Sequence, residues 1–264
     1  MTAIALTIAG SDSGGGAGIQ ADLKTFSALG VYGASVLTAI TAQNTRGVRA
    51  VETVSPKMVV QQIEAVLEDL DVGAIKIGMV ANAEIASAIA TALRRFDRKA
   101  VLDPVMVATS GDRLLEPEAV DAIRRELLPL AIVVTPNLPE AAILAGGDAA
   151  QNEEEMARQA EHIRAAGAEA VLVKGGHGRG AEAVDLLIDG HGKHRFTAPR
   201  IETTNDHGTG CTLSAAIAAG LAKGATLEQA AAAAKTYLTE ALAASKGLTI
   251  GHGRGPVHHF HRQW

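Results

Sequence analysis

The chain has 264 residues and a formal net charge of −5 at pH 7, with 47% hydrophobic, 20% charged and only 3% aromatic residues. This composition is typical of a soluble folded protein and argues against disorder. The acidic balance argues against nucleic acid or an anionic membrane as the main partner, although a phosphorylated small molecule needs only a local positive site. A single cysteine excludes an intrachain disulfide and favours a cytoplasmic location.

Short apolar runs alternate with segments of helical period, which is the pattern of βα units around a mostly parallel sheet. The first run lacks a basic region before it, so we expect a strand and not a signal peptide. No stretch approaches the roughly 20 apolar residues of a membrane span. Strands are predicted at residues 3–9, 35–42 (one strand or a pair), 74–78, 100–102, 131–135 and 170–174, and an antiparallel edge hairpin at 184–188 and 193–197.

Helices are predicted from the same periodicity and from their capping residues. Ser55 before Pro56, and Asn82, are typical helix starts, and Gly30 is a typical stop. The predicted helices lie at residues 19–29, 56–70, 83–93, 117–127, 152–166, 211–222 and 226–245, with a turn at 136–140. No linker or solenoid repeat interrupts the pattern, so we expect a single domain spanning residues 1–264.

A polar, glycine-rich loop at residues 204–212 runs directly into an alanine-rich helix. Glycines allow successive N–H groups to face one point, and the helix adds its unpaired N–H groups and the positive end of its dipole. The loop therefore predicts an anion site around Gly208, Thr209 and Gly210. Cys211 lies at the helix start, where we expect its thiol to be drawn toward the thiolate. The alternative is a simple glycine turn with a small buried cysteine.

A second glycine-rich segment, residues 10–18, follows the first strand at the edge where open α/β sheets bind ligands. It lacks the Gly-Lys-Ser/Thr of a Walker loop and the distant acidic residue of a dinucleotide fingerprint. It is therefore a weak signal for any particular ligand, and a flexible turn is the alternative.

Four polar residues follow other predicted strands. Asp103 precedes a proline at a strand end, Lys174 ends a strand before two glycines, and Asn137 with Glu140 begins a helix. Asn137 and Glu140 have the spacing of a capping box. The functional alternative is that Glu140 and Asp103 order Mg²⁺ beside nucleotide phosphates, because Mg²⁺ typically takes one or two carboxylates plus phosphate oxygens.

The histidines near the C-terminus do not have the spacing of a zinc site, and no cysteine joins them. We therefore expect no metal at His252, His258, His259 or His261. His207 alone is a functional candidate, because it precedes the anion loop.

Seven motifs, in order along the chain, together resemble the hydroxymethylpyrimidine/phosphomethylpyrimidine kinases of the ribokinase superfamily. They lie at residues 9–24, 38–44, 102–106, 135–140, 173–177, 207–211 and 251–256. The resemblance implies a three-layer α/β/α sandwich with a mostly parallel central sheet. It also implies a homodimer, ATP and Mg²⁺, and phosphorylation of 4-amino-5-hydroxymethyl-2-methylpyrimidine and then of its monophosphate.

The resemblance also implies roles for individual residues. Gly208, Thr209, Gly210 and Cys211 correspond to the anion hole, with cysteine where most ribokinase relatives hold an aspartate base. The metal-side carboxylates correspond to Asp103 and Glu140, and the nucleotide site adds Lys174 and Asn137. Gln43 resembles the residue that reads the pyrimidine, with Asp22, Met79 and Val105 as pocket neighbours.

Three other functions remain open from the sequence. A pyridoxal kinase of the same superfamily shares much of the pattern. Cys211 could instead be the nucleophile of a transferase with His207 as its base. The third alternative is a ligand-binding regulator that has lost catalysis.

Overall fold

The computed structural model describes residues 2–106, 117–177 and 180–264. The strands within these residues are β1 (Ile4–Asp12), β2 (Tyr32–Asn44), β3 (Gly47–Thr53), β4 (Ala74–Ile77), β5 (Ala100–Leu102), β6 (Ala131–Val134), β7 (Val171–Lys174), β8 (Glu182–Asp189) and β9 (Gly192–Pro199). They form one sheet in the order β3-β2-β1-β4-β5-β6-β7-β8-β9. The pairs from β2 to β7 are parallel, and the β2–β3, β7–β8 and β8–β9 pairs are antiparallel.

Helices cover both faces of this sheet. They are α1 (Gly18–Ala28), α2 (Pro56–Leu67), α3 (Ala83–Arg95), α4 (Pro117–Ala122), α5 (Leu138–Ala145), α6 (Glu153–Ala165), α7 (Thr209–Ala222) and α8 (Leu227–Ser245). The helix α4 continues into a π-helical turn at Ile123–Leu127 and a 3₁₀ turn at Leu128–Leu130. The core on one face is built by α2 to α6, and the core on the other by α1, α7 and α8. The predicted three-layer fold with an antiparallel edge hairpin is therefore confirmed.

Alternating side chains on the strands supply the two cores. In β1, Leu6 and Ile8 pack toward α2 to α6, while Ala5, the residue before Leu6, packs toward the other helices. This is the period of two that any strand imposes. Small residues dominate α7 and α8, which lets these two helices pack closely against the sheet and each other.

Two elements differ from the sequence prediction. β3 was not predicted, because its side chains are mostly exposed and leave no apolar pattern to detect. Residues 136–140 were predicted as a turn in which Asn137 and Glu140 begin a helix; the helix start is confirmed, but α5 begins at Leu138, so the turn is shorter than predicted. Asn137 caps that helix, since its side chain accepts a hydrogen bond from the Glu140 N–H.

The topology brings the carboxyl ends of β1, β2, β4, β5, β6 and β7 to one edge of the sheet, beside the N-terminus of α7. Open α/β sheets bind their ligands at this edge. Among the residues the structure describes, no helix is both long and apolar enough to cross a membrane.

Candidate active site

A cavity of about 710 Å³ opens at this edge of the sheet. Most of the predicted site residues line it, although they come from widely separated parts of the chain. These residues are Gln43, Met79, Val105, Asp103, Asn137, Glu140, Lys174, Thr209, Gly210 and Cys211. The fold therefore brings together in one place the anion loop, the predicted carboxylates and the predicted substrate residues.

The anion loop has the backbone geometry of a helix N-terminus that faces the cavity. Gly208 is the N-cap of α7 and adopts φ 81°, a left-handed conformation that favours glycine. A Cβ on Gly208 would overlap the carbonyl oxygen of Gly16. The Thr209 N–H donates to the Asp206 carbonyl at 3.3 Å, whereas the N–H groups of Gly210 and Cys211 have no carbonyl partner within the helix and are free to bind an anion.

Lys174 and Asp103 form a partly buried ion pair beside this helix start. The Lys174 Nζ lies 2.9 Å from Asp103 Oδ1 and 3.9 Å from Glu140 Oε2. A Cβ on Gly210 would lie 3.1 Å from the Lys174 Nζ, so the loop and the ammonium group are in direct contact range. Burial opposes the charge on Lys174, but the two carboxylates outweigh it and raise the pKa of the lysine.

Glu140 serves the helix cap and faces the cavity at once. Its Oε2 accepts a hydrogen bond of 2.8 Å from the Asn137 N–H, and its own N–H donates to Asn137 Oδ1 at 2.9 Å. Burial raises the pKa of Glu140 to about 7, against the opposing effect of Lys174, and the nearby Asp103 adds to the rise. The sequence left a capping box and a metal-side carboxylate as alternatives; Glu140 forms the capping box and also lines the cavity, so the first does not exclude the second.

One oxygen of Asp103 has no protein partner. Asp103 Oδ2 is buried and unbonded, while Oδ1 accepts a hydrogen bond from the Lys174 ammonium. A buried carboxylate oxygen without a donor is what a hard cation such as Mg²⁺ would satisfy. The residues present therefore fit a magnesium site at Asp103 and Glu140.

The expectation that Cys211 is drawn toward the thiolate is wrong. Burial raises the pKa of its thiol to about 11; the ammonium of Lys76 opposes this rise, and the carboxylates of Asp22 and Asp103 add to it. Desolvation thus outweighs the position at a helix start. The thiol is protonated at neutral pH and is a weak nucleophile.

His207 does not face Cys211 as a catalytic base would. Its Nε2 lies 2.9 Å from Asp12 Oδ2 and 3.3 Å from the amide nitrogen of Gln43. The ring therefore joins the glycine-rich segment to the predicted substrate residue. This geometry removes the basis for a Cys211–His207 nucleophile pair.

The glycine-rich segment at residues 10–18 curls around Asp12. Asp12 Oδ1 accepts from the Gly14 N–H at 2.8 Å, and Oδ2 accepts from the N–H groups of Gly16 and Ala17 at 3.0 and 2.9 Å. Burial opposes the charge of Asp12, but His207 and these N–H groups outweigh it and lower the pKa of the carboxyl. These N–H groups are occupied by a carboxylate of the chain itself.

Asp22 does not line the cavity, which corrects its prediction as a pocket residue. Its side chain is 0% exposed and lies 2.9 Å from the Lys76 Nζ, which is also 0% exposed. Thr7 Oγ1 donates a further hydrogen bond of 2.6 Å to the same carboxylate oxygen. Lys76 itself does line the cavity.

Sequence reasoning missed Lys76 and Asp12. Lys76 interrupts the buried strand Ala74–Ile77, and a lysine inside an otherwise apolar strand is a signal for a buried, paired ammonium. Three of the four C-terminal histidines contact other side chains: His258 packs on Trp264, His259 lies 3.1 Å from Thr212 Oγ1, and His261 hydrogen-bonds Glu240.

Comparisons with known proteins show the family of this chain. The family described as "Phosphomethylpyrimidine kinase" matches residues 12–258. A relative from Rhizobium meliloti (strain 1021), named "Hydroxymethylpyrimidine/phosphomethylpyrimidine kinase", is 69% identical over 264 residues, which cover 100% of this chain and 99% of the relative.

Two solved structures are similar along most of the chain. The phosphomethylpyrimidine kinase from Clostridium difficile 630 is 48% identical with a TM-score of 0.81, covering 90% of this chain and 99% of that one. The ADP complex of Bacillus subtilis pyridoxal kinase is 38% identical with a TM-score of 0.91, covering 100% and 99%. Because the family match and the 69% identical relative both extend over nearly the whole sequence, this chain belongs to the phosphomethylpyrimidine kinase family of phosphotransferases.

Proposed function

We propose that the protein transfers the γ-phosphoryl group of ATP, with Mg²⁺, to 4-amino-5-hydroxymethyl-2-methylpyrimidine and then to its monophosphate. The observation that carries this proposal is the meeting of the α7 N-terminus, the Lys174–Asp103 pair and Gln43 in one cavity. The name of the Rhizobium meliloti relative supports the choice of substrate.

In this proposal, the backbone of residues 208–211 binds the phosphoryl group while it passes from ATP to the acceptor. Phosphoryl transfer passes through a loose transition state whose charge is spread over three equatorial oxygens. The free N–H groups of Gly210 and Cys211 are fixed before the reaction, so they stabilise this charge without reorganising. Lys174 adds a positive charge next to Gly210.

Asp103 and Glu140 hold the metal, and Asn137 fixes the position of Glu140 through the capping box. When bound there, Mg²⁺ would supply positive charge that offsets the negative charge of the phosphate groups. The unbonded Asp103 Oδ2 is the oxygen that is free for this role. Lys174 holds the other oxygen of Asp103 and so orients the carboxylate.

Cys211 contributes mainly its position and backbone N–H. A thiol with a pKa of about 11 is a poor proton acceptor at neutral pH. A loose transition state demands little early proton removal, so the reaction does not require a strong base at this point.

Gln43 reads the pyrimidine ring, with Met79 and Val105 as apolar neighbours. Its amide offers one acceptor oxygen and two donor hydrogens, which match the ring nitrogen and exocyclic amine of an aminopyrimidine. The same ring is present in both acceptors, so one binding residue serves both steps.

Pyridoxal is the second candidate acceptor, because the Bacillus subtilis structure with a TM-score of 0.91 is a pyridoxal kinase. Mass spectrometry of the products from purified protein, ATP and Mg²⁺ tests the two. We expect the mono- and diphosphate of the pyrimidine alcohol, and little pyridoxal phosphate. Initial rates on the two acceptors give the matching kcat/KM values, and a higher kcat/KM for pyridoxal than for the pyrimidine alcohol would reverse the assignment.

We also propose a homodimer in the cytoplasm. The ribbon of β2 and β3 exposes apolar side chains, with Ile40 at 53% and Val51 at 43% exposure, and β3 is an edge strand. A second copy of the chain would cover this surface. Light scattering coupled to size-exclusion chromatography measures the mass directly, and a monomer across micromolar concentrations would exclude the dimer.

A further inference from the structure

The side-chain amide of Gln43 lies between two hydrogen-bonding neighbours. One end is 3.1 Å from the hydroxyl of Thr41, and the other is 3.3 Å from His207 Nε2. The nitrogen and oxygen of a side-chain amide are nearly identical in size, so turning the amide by 180° exchanges them without moving other atoms. The hydrogen-bonding neighbours therefore decide which atom faces Thr41 and which faces His207.

The proton of His207 is located by its second neighbour, Asp12. Both oxygens of the Asp12 carboxylate already accept backbone N–H groups, and Oδ2 lies 2.9 Å from His207 Nε2. An ionised carboxylate only accepts hydrogen bonds, so Nε2 must carry the proton. This holds for the neutral ring and for the protonated ring.

A nitrogen that carries a proton cannot accept from the amide nitrogen of Gln43. The amide oxygen, placed at the same 3.3 Å, can instead share the single Nε2 proton with Asp12 Oδ2, which keeps the shorter contact of 2.9 Å in a three-centre hydrogen bond. Thr41 supports the same orientation from the other side: its one hydroxyl proton is donated to the Ser11 carbonyl at 2.9 Å, which leaves Oγ1 as an acceptor for the amide nitrogen.

We infer that His207, held by Asp12, is a positioning residue that turns the Gln43 oxygen toward itself and the Gln43 nitrogen toward Thr41, and so sets the order of donor and acceptor offered to the substrate ring. The inference rests on the proposed role of Gln43 in reading that ring. Of the two amide orders, one pairs with the amine and ring nitrogen of an aminopyrimidine, and the reversed order opposes donor to donor and acceptor to acceptor. Fixing the amide before binding removes the cost of choosing the productive order.

Nitrogen-15 NMR of the histidine rings in the intact protein tests the proton position without any substrate. A ring nitrogen that bears hydrogen and one that is bare give separate resonances, and His207→Gln assigns the signal. We expect a hydrogen on Nε2 at neutral pH. A bare Nε2 would overturn the inference, because the Gln43 nitrogen could then donate to it. This result stands whether or not the protein phosphorylates the pyrimidine.

Kinetics of His207→Phe, which keeps a ring but removes the N–H, test the consequence. We expect kcat/KM for the pyrimidine alcohol to fall about 2- to 12-fold, mainly through KM, as for the loss of one ordinary hydrogen bond. His207→Gln, which keeps a donor, should recover most of this loss.

The control is the same change in the Gln43→Ala background. If His207 acts through the amide, His207→Phe adds little to the loss already caused by Gln43→Ala. Fully additive losses in the double variant would overturn the inference, since they would show that His207 acts independently of Gln43. If none of these proteins phosphorylates the pyrimidine, the proposed function fails and the NMR result still decides the amide orientation.

Discussion

The ion pair between Lys76 and Asp22 supports the floor of the cavity, and removing either partner should destabilise the protein strongly. Both side chains are 0% exposed and their charged atoms are 2.9 Å apart. Burial opposes the charge of Lys76, but Asp22 outweighs it and raises the pKa of the lysine. Burial also raises the pKa of Asp22, against the opposing effects of Lys76 and Thr7. The contact of 2.9 Å and the hydrogen bond from Thr7 stabilise the ionised pair in the folded state. A variant lacking one partner leaves the other charge buried without compensation.

The magnitude follows from this complete burial. Breaking a buried pair from one side costs about 3–5 kcal/mol. For a protein of this size we expect the midpoint of thermal unfolding to fall by roughly 6–20 °C, at about 2–4 °C per kcal/mol. The variant Lys76→Met keeps most of the side-chain volume, so the loss reports the charge and not a cavity.

The double variant Lys76→Met with Asp22→Asn separates charge from packing. It buries no unpaired charge, and the asparagine can still accept from Thr7, which now donates to Asp22. We therefore expect urea unfolding to show the double variant less destabilised than the sum of the single variants by more than about 1.5 kcal/mol. Single variants within about 1 kcal/mol of wild type, or strictly additive losses, would refute this reasoning.

Three further predictions concern the proposed chemistry. Cys211→Ser should retain measurable turnover. Gly210→Asp places a carboxylate against the buried Asp103 and the anion hole, so it should abolish turnover. If both variants fold and lose activity to the same extent, the thiol of Cys211 does more than hold its position. Glu140→Gln and Asp103→Asn should lower kcat and raise the Mg²⁺ requirement while leaving pyrimidine binding without nucleotide near wild type, and calorimetry that finds no pyrimidine binding by Glu140→Gln would place that residue in the substrate site. Gln43→Ala should lower kcat/KM for the pyrimidine in both steps, by an amount equivalent to about 1–3 kcal/mol of lost transition-state stabilisation, and should change pyridoxal activity far less. An unchanged ratio of kcat/KM between the pyrimidine alcohol and pyridoxal would exclude the assignment.

Glu140→Gln also has a consequence for stability that does not depend on activity. The pKa of Glu140 is raised in the folded protein from the ordinary value of 4.5 to about 7, so the folded state binds the proton more tightly than the unfolded state. Its contribution to stability is therefore fully present below about pH 4.5 and is lost as the pH rises through 7. In a comparison of urea unfolding at pH 5 and pH 8, this dependence should be smaller in Glu140→Gln than in wild type.

The parts of the fold that were predictable are those in which burial leaves a repeating pattern. β5 was predicted with its observed bounds, Ala100–Leu102, and the edge hairpin was predicted from two apolar runs around a glycine turn. The strand β3 could not be found in this way, because it is held by hydrogen bonds to β2 and its side chains are exposed. The spacing of apolar residues along a sequence indicates which side chains are buried. It does not reveal a strand that is held mainly by backbone hydrogen bonds to its neighbour.

The composition of the site was predictable, but its electrostatics were not. Asp103, Lys174 and the anion loop follow strands or precede a helix, and the topology of a parallel sheet brings such positions together. The state of Cys211 depends instead on how deeply its thiol is buried and on Lys76, which comes from a distant strand. A sequence shows that a cysteine begins a helix, but it does not show how much water the thiol loses.

Three partly or fully buried lysine–aspartate pairs surround the candidate active-site cavity: Lys76–Asp22, Lys174–Asp103 and Lys235–Asp185, with distances of 2.9, 2.9 and 2.8 Å. Buried pairs of this kind contribute little net stability compared with apolar residues of the same size. Asp185 also accepts the Gly175 N–H at 3.0 Å and so fixes the turn that follows Lys174. Each lysine lines the cavity while its aspartate holds it in place. A site that must receive the negative charge of a nucleotide and its transferred phosphoryl group needs cations that are oriented before the ligand arrives, and this need explains why ion pairs of low stabilising value are placed around this cavity.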